Sequence, residues 1–218
     1  MQVTAERIGR AAVLAAALGV SACAGRGELD SSGTGIATVR SACPSVGVPA
    51  GTGDVTLFDP AGRRDADALD LSATMTNVRS TCTDQGDQIL TGVTFDVQAR
   101  RQRTGAPRDV TLPFFIAVVR GGSAVVAKRV SQVTLHFDAG STRAQGPGTA
   151  STLVTRTAAT LPDAIRRQIT RKRKAGDEDA AVDPLTQPEV RAAVLRTSFE
   201  ALVGFQLTDE QLKYNATR

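Results

Sequence analysis

The chain has no tryptophan, one tyrosine and one histidine in its 218 residues, alongside seven phenylalanines, three cysteines and two methionines. So few Trp and Tyr side chains argue against the stacking platforms of sugar-binding and single-strand nucleic-acid modules. One His and three Cys are too few soft ligands for a His-rich metal centre or an ordinary zinc site. There is no Gly-x-Ser-x-Gly elbow and no Cys-x-x-Cys pair. Gly33-Thr34-Gly35 and Gly51-Thr52-Gly53 are too short for a phosphate loop and lack its lysine, so they read as tether and turn. What is present is ordinary for a globular chain: 41% hydrophobic residues, 22% charged residues and a formal net charge of +4. That composition excludes wholesale disorder and suits one domain with appendages.

The strongest signal lies in residues 1–22. Arg7 and Arg10 precede an apolar run at residues 11–20. The run is about half the ~20 residues a membrane-crossing helix needs, and it fits the apolar core of a secretory signal. Val20-Ser21-Ala22-Cys23 then places small residues directly before a cysteine. This resembles a bacterial lipobox, with Val20 where Leu is commonest. The resemblance implies cleavage before Cys23 and diacylglycerol on its thiol. Ala24 stands where an aspartate would signal inner-membrane retention, which implies the outer membrane. An ordinary signal peptide with an incidental cysteine is the competing reading. Cleavage would remove Arg7, Arg10 and Glu6, so the mature charge stays mildly positive and points only weakly to anionic partners. A domain exported and held by lipid does not meet nucleic acid.

With Cys23 lipidated, Cys43 and Cys82 remain as an even pair in an oxidising compartment, and a structural disulfide is expected. Their wide spacing argues against a redox-active pair. Residues 23–42 are rich in Gly and Ser and read as a flexible tether.

From about Val46 the apolar pattern has period two. Leu69, Leu71, Ala73 and Met75 alternate with polar residues, as do Val93, Phe95, Val97 and Ala99, which predicts half-buried strands. Residues 110–119 lose the alternation and predict a central strand covered on both faces. Pro113 within it requires an edge, a bulge or a bend. Gly121-Gly122 predicts a hairpin into a strand through Val130, Val133, Leu135 and Phe137. Another strand is expected at 153–156. The fold class is therefore mainly β, an antiparallel β-sandwich over 43–157 that could be immunoglobulin-like.

After Thr157 the period changes. Thr160-Leu161-Pro162-Asp163, Thr186-Gln187-Pro188-Glu189 and Thr208-Asp209-Glu210-Gln211 read as three capping boxes. Leu185 with Val190, and Leu207 with Leu212, are placed as hydrophobic staples. They predict a helical excursion over 158–197, followed by a returning strand and a short terminal helix over 198–218. Arg173-Lys174-Ala175-Gly176-Asp177, Asp183-Pro184-Leu185, Leu202–Thr208 and Tyr214-Asn215 resemble an uncharacterised family of Gram-negative bacterial outer-membrane lipoproteins. The likeness extends to Cys43-Pro44, Cys82 and Leu112-Pro113-Phe114-Phe115. It implies export and adds no mechanism.

Candidate chemistry is sparse. His136 falls on the wet face of its strand with Thr134 and Asp138. Asp65, Asp67 and Asp70 near Arg63 and Arg64 lack the calcium-loop order and read as a charged loop. The sequon at Asn215 carries no weight in a bacterial chain. Arg166, Arg167, Arg171, Lys172, Arg173 and Lys174 form a basic run suited to anionic headgroups or lipopolysaccharide phosphates. Its other reading is structural: Asp163, Asp177, Glu178, Asp179 and Asp183 can neutralise it, and cations complement a helix C-terminus. No cofactor, no metal and no catalytic residue is expected. The expectation is a non-enzymatic lipoprotein of the outer membrane, facing the periplasm, that is structural or binds an envelope protein. The alternative is an accessory protein that binds anionic lipid through 166–174.

Overall fold

The computed structural model describes residues 41–171, 176–177 and 182–217. Residues 1–40 with Cys23, and Lys172, Arg173 and Lys174, lie outside the described residues.

Among the described residues, eight strands make two four-stranded sheets. Sheet one has the order β1 (Ser45–Gly47), β8 (Phe199–Phe205), β5 (Arg108–Arg120), β6 (Ala124–Phe137). Sheet two has the order β2 (Asp54–Phe58), β3 (Leu69–Gln85), β4 (Gln88–Arg101), β7 (Arg143–Thr155). The sandwich is mainly antiparallel, with one correction: β1 runs parallel to β8. Far-separated segments have no hairpin to dictate their relative direction. Strand β4 pairs with β7 in one sheet and β5 with β8 in the other. The immunoglobulin sandwich relates its B–E and C–F pairs in the same way.

Alternation builds the core as expected. Leu71, Ala73 and Met75 of β3 and Val93, Phe95, Val97 and Ala99 of β4 turn inward and are buried. They meet Leu112, Phe114, Leu135, Phe137, Val203 and Phe205 from sheet one. The Phe95 and Phe114 rings meet edge to face at 5.0 Å, the arrangement their quadrupoles favour. Gly148 of β7 makes room for this contact, since a Cβ there would lie 2.2 Å from the Phe95 ring.

The stretch is central, as expected, with β5 between β8 and β6, but only Ile116–Val119 are buried without alternation, while Thr111 and Pro113 are exposed. Pro113 sits where β8 leaves the ladder. Gln206 N donates to Pro113 O at 2.9 Å, and β8 itself ends at Phe205. The missing N–H therefore falls on the last rung. The turn after β5 carries Gly121 and Gly122 at φ +64° and +78°, a conformation that costs glycine little.

Two sequence expectations need correction in the excursion. After the short α1 (Arg156–Ala159), the Thr160 hydroxyl donates back to Arg156 O at 2.7 Å instead of capping the next helix. Helix α2 (Asp163–Thr170) starts with Pro162 at its cap and no side-chain cap bond. Likewise the Thr186 hydroxyl donates to Asp183 O within the 3-10 turn Pro184–Thr186. It is Asp183 that accepts from Leu185 N there. Helix α3 (Pro188–Arg196) then begins without a side-chain cap. Val190 is buried and Leu185 is 46% exposed. The third box forms: Thr208 N donates to Gln211 Oε1 at 2.9 Å and Gln211 N to Thr208 Oγ1 at 3.3 Å. It opens α4 (Asp209–Thr217).

Cys43 and Cys82 are bonded, with Cα atoms 6.1 Å apart. Cys82 lies inside β3, not after it as the shorter sequence-predicted strand implied. Because Cys43 leads into β1 of sheet one, the bridge ties one sheet to the other.

Candidate functional site

Among the described residues, several of those singled out in the sequence are held in ion pairs. His136 is exposed on the outer face of β6, as its phase predicts, but both ring nitrogens face carboxylates. Nδ1 lies 2.6 Å from Asp109 Oδ1 and Nε2 lies 3.5 Å from Asp138 Oδ1. The hydrogen bond to the Asp109 carboxylate raises the imidazole pKa above its ordinary value. Of the three aspartates, Asp65 and Asp67 lie in the segment before β3 and Asp70 lies inside the strand. Asp65 caps the 3-10 turn Ala66–Ala68, and Asp70 stands in β3 in a two-pronged pair with Arg108 (2.7 and 2.6 Å). That hydrogen bond holds the Asp70 carboxyl below the usual carboxylate range. Among the described residues no group of three or more His, Cys, Asp or Glu side chains could hold a metal ion.

The basic run is only partly in view. Arg166 pairs with Asp163 within α2, and Arg167 and Arg171 are exposed. Helix α2 buries no side chain.

Two residues have structural roles that the sequence did not assign to them. Arg101 is 5% exposed and forms no salt bridge among the described residues. Its guanidinium donates to four backbone carbonyls, those of Ser141, Ala106, Gly105 and Asp138. It also lies over the Phe137 ring, 5.3 Å from the centroid. The signal was present, since Arg101 falls in phase with Val97 and Ala99. Asn215 donates to Gly51 O and Asp54 O, both at 2.8 Å, and so clamps α4 to the start of β2.

A cleft of about 550 Å3 opens between β2, the loop after it and α4. Phe58 and Tyr214 meet there edge to face at 5.3 Å, and Arg64 covers Phe58 at 4.9 Å while pairing with Glu210. Arg108, its other arginine, is paired with Asp70. Both cations of the cleft are already engaged.

The opposite margin is different. Among the described residues, strand β6 closes the order of sheet one and pairs only with β5. Its second half buries Val133, Leu135 and Phe137, but every residue from Ala124 to Gln132 is exposed. Val125, Val126 and Val130 are 62%, 47% and 52% exposed. Because Pro113 directs its carbonyl at β8, the adjacent Leu112 and Phe114 direct theirs at β6. Their partners Val133 and Ser131 face back to β5. Lys128, Val130 and Gln132 therefore point N–H and C=O groups at the free edge. The seam between β6 and β7 is tight at one end, where Gly146 lets β7 approach Leu135 and Thr134. It opens at the other end into a groove of about 300 Å3 with Phe114 and Ile116 at its floor. Arg129 and Ser131 line one wall, and Thr149, Ala150 and Ser151 the other.

No protein-family model matches the chain, and none of the curated proteins matches it.

Proposed function

We propose that this chain is a non-enzymatic protein-binding module, carried to the outer membrane by the signal in residues 1–22 and held there, facing the periplasm, by lipid on Cys23. The observation that carries the binding reading is the half-strand Ala124–Gln132, with valines exposed on it and its outer backbone unpaired among the described residues. Apolar side chains on an unpaired edge are what soluble proteins usually cover or blunt, and a partner strand or surface is a common cover. The lipid anchor is supported by the lipobox-like Val20–Cys23, and export by the Cys43–Cys82 bond, which suits an oxidising compartment.

A photo-cross-linking residue placed at Val125 or Val130 in cells tests this. Adducts to another envelope protein are expected from those positions and not from Ser72 on the exposed face of β3. Adducts to lipid alone would overturn it. The anchor is tested separately: Cys23→Ser should release the protein from the membrane fraction or leave uncleaved precursor.

A second reading is favoured by α2, which buries no side chain and presents Arg166 and Arg167 to solvent. On that reading the segment 166–174 binds anionic headgroups. Salt-sensitive binding to anionic vesicles, lost on charge reversal of the run, would support it.

A further inference from the structure

The exposed half of β6 carries Lys128 and Arg129 and no acidic residue between Ala124 and Gln132. Strand alternation puts the two cations on opposite faces. Lys128 is on the outer face, with its ammonium 4.9 Å from the Phe115 ring centroid. Arg129 is on the inner face, at the wall of the groove over Phe114 and Ile116. A strand added to this edge would meet a cation on each face, with Val130 beside Lys128 and the groove beside Arg129.

A second copy of the chain is a poor occupant. Lys128 is the middle residue of 124–132, so full antiparallel overlap of two such segments sets Lys128 against Lys128. Like charges directly opposite destabilise a strand pair. The charges that blunt self-pairing leave the edge complementary to carboxylates.

We infer that the partner binds by strand addition, as an extended segment that pairs with Lys128–Gln132 and presents adjacent acidic residues to Lys128 and Arg129, with an apolar side chain entering the groove over Phe114 and Ile116. This rests on the protein-binding reading and names the chemistry of the partner. Backbone hydrogen bonds to Lys128, Val130 and Gln132 supply affinity, and the two cations choose the partner's charge.

The test uses the full chain extracted from membranes in mild detergent. The probe is a synthetic peptide that alternates Thr and Val around a central Glu-Glu pair, and its analogue with Lys-Lys at the centre is the control. Binding of the acidic peptide is expected, with loss of at least tenfold in affinity for the Lys-Lys analogue. Amide exchange should slow at Lys128, Val130 and Gln132 on binding. Val130→Pro removes an edge-facing N–H and spares the β5–β6 ladder, a placement proline tolerates on edge strands. It should abolish peptide binding while leaving the melting curve of the chain within a few degrees. Lys128→Glu with Arg129→Glu should exchange the preference between the two peptides.

Equal binding of both peptides, or binding that survives Val130→Pro, would overturn strand addition by an acidic segment. If the acidic peptide fails while Val130 still cross-links to an envelope protein, this inference falls and the protein-binding reading stands. If peptide binding and protein cross-links both fail, the two fall together. Self-association through β6, lost in Val130→Pro, would assign the edge to a second copy and overturn the inference.

Discussion

Two strands of this sandwich run past the core, one from each sheet. Strand β3 is buried on alternate residues to Met75, then exposed at every residue from Arg79 to Gln85. Strand β6 is exposed at every residue from Ala124 to Gln132, then buried on alternate residues to Phe137. Each overhang pairs on one side, β3 with β4 and β6 with β5. On its other side β2 reaches β3 only as far as Thr74.

The chemistry differs where the exposure does not. The β3 overhang reads Arg-Ser-Thr-Cys-Thr-Asp-Gln and contains no aliphatic side chain. A bulge at Asn77, with φ +51°, separates it from the buried half. Asn77 also donates to Asp96 across the ladder at 2.9 Å. The disulfide then fixes the overhang at Cys82. The β6 overhang has valines, two cations and no fastening. An exposed strand is suited to water when its side chains are polar. It is suited to a partner when they are not.

The largest expected effect falls on the packed half that both overhangs extend. Arg101→Leu strips donors from four backbone carbonyls and should cost about 3–5 kcal/mol, since hydrogen bonds to a charged group are the strong ones and buried acceptors left unpaired add their own cost. Urea unfolding would measure this. A loss within experimental error would show that the overhangs, not the packed half, carry the stability.

Next comes the fastening. Cys43→Ser and Cys82→Ser should each lower stability by ~2–4 kcal/mol, and the double variant should add little, as two halves of one bond require. Native-state exchange should quicken in Arg79–Gln85 and hardly change in Ala124–Gln132. Equal quickening in both would break the distinction between them.

A smaller, pH-dependent effect sits at the packed end of β6. Asp109 raises the pKa of His136, so this pairing stabilises the fold fully below the imidazole's unfolded pKa, near 6.5. The contribution is lost as pH rises through the higher folded value. Asp109→Asn should bring the His136 titration, followed by NMR, back toward its ordinary value and flatten the stability difference between mildly acid and alkaline buffer. Smallest of all, Val125→Thr with Val130→Thr should leave stability within about 0.5 kcal/mol, as surface substitutions usually do, while weakening partner capture. A large loss of stability would mean these valines belong to the core.

Much of this fold could be read from the chain, because alternation is local. The strands through Leu71, Phe95 and Leu135, the hairpin at Gly121-Gly122 and the returning strand at Ala201–Phe205 all follow from side-chain period. The capping boxes show the limit. Thr160, Thr186 and Thr208 present the same motif, yet only Thr208 caps a helix. A threonine hydroxyl can also bond back to a carbonyl three or four residues earlier, as Thr160 and Thr186 do, and residue types alone do not decide that competition. Arg101 was legible in phase but reads as a strand end until the loops that surround it are placed. The open edge was not legible at all. Val125 and Val130 resemble core valines in sequence, and their exposure follows from β8 lying on the other side of β5, a pairing between segments some eighty residues apart.

The disulfide also sets how load enters the molecule. Strand β1 is held to β8 over only Ser45–Gly47, a ladder that a pull on the preceding chain would peel one rung at a time. Cys43 comes before that ladder and is bonded to Cys82, so tension arriving from the N-terminal side bypasses β1. It passes into β3, whose pairing with β4 extends from Leu71 to Gln85. The three-residue ladder is thereby kept out of the line of force, and a pull on the preceding chain is borne by the β3–β4 hairpin.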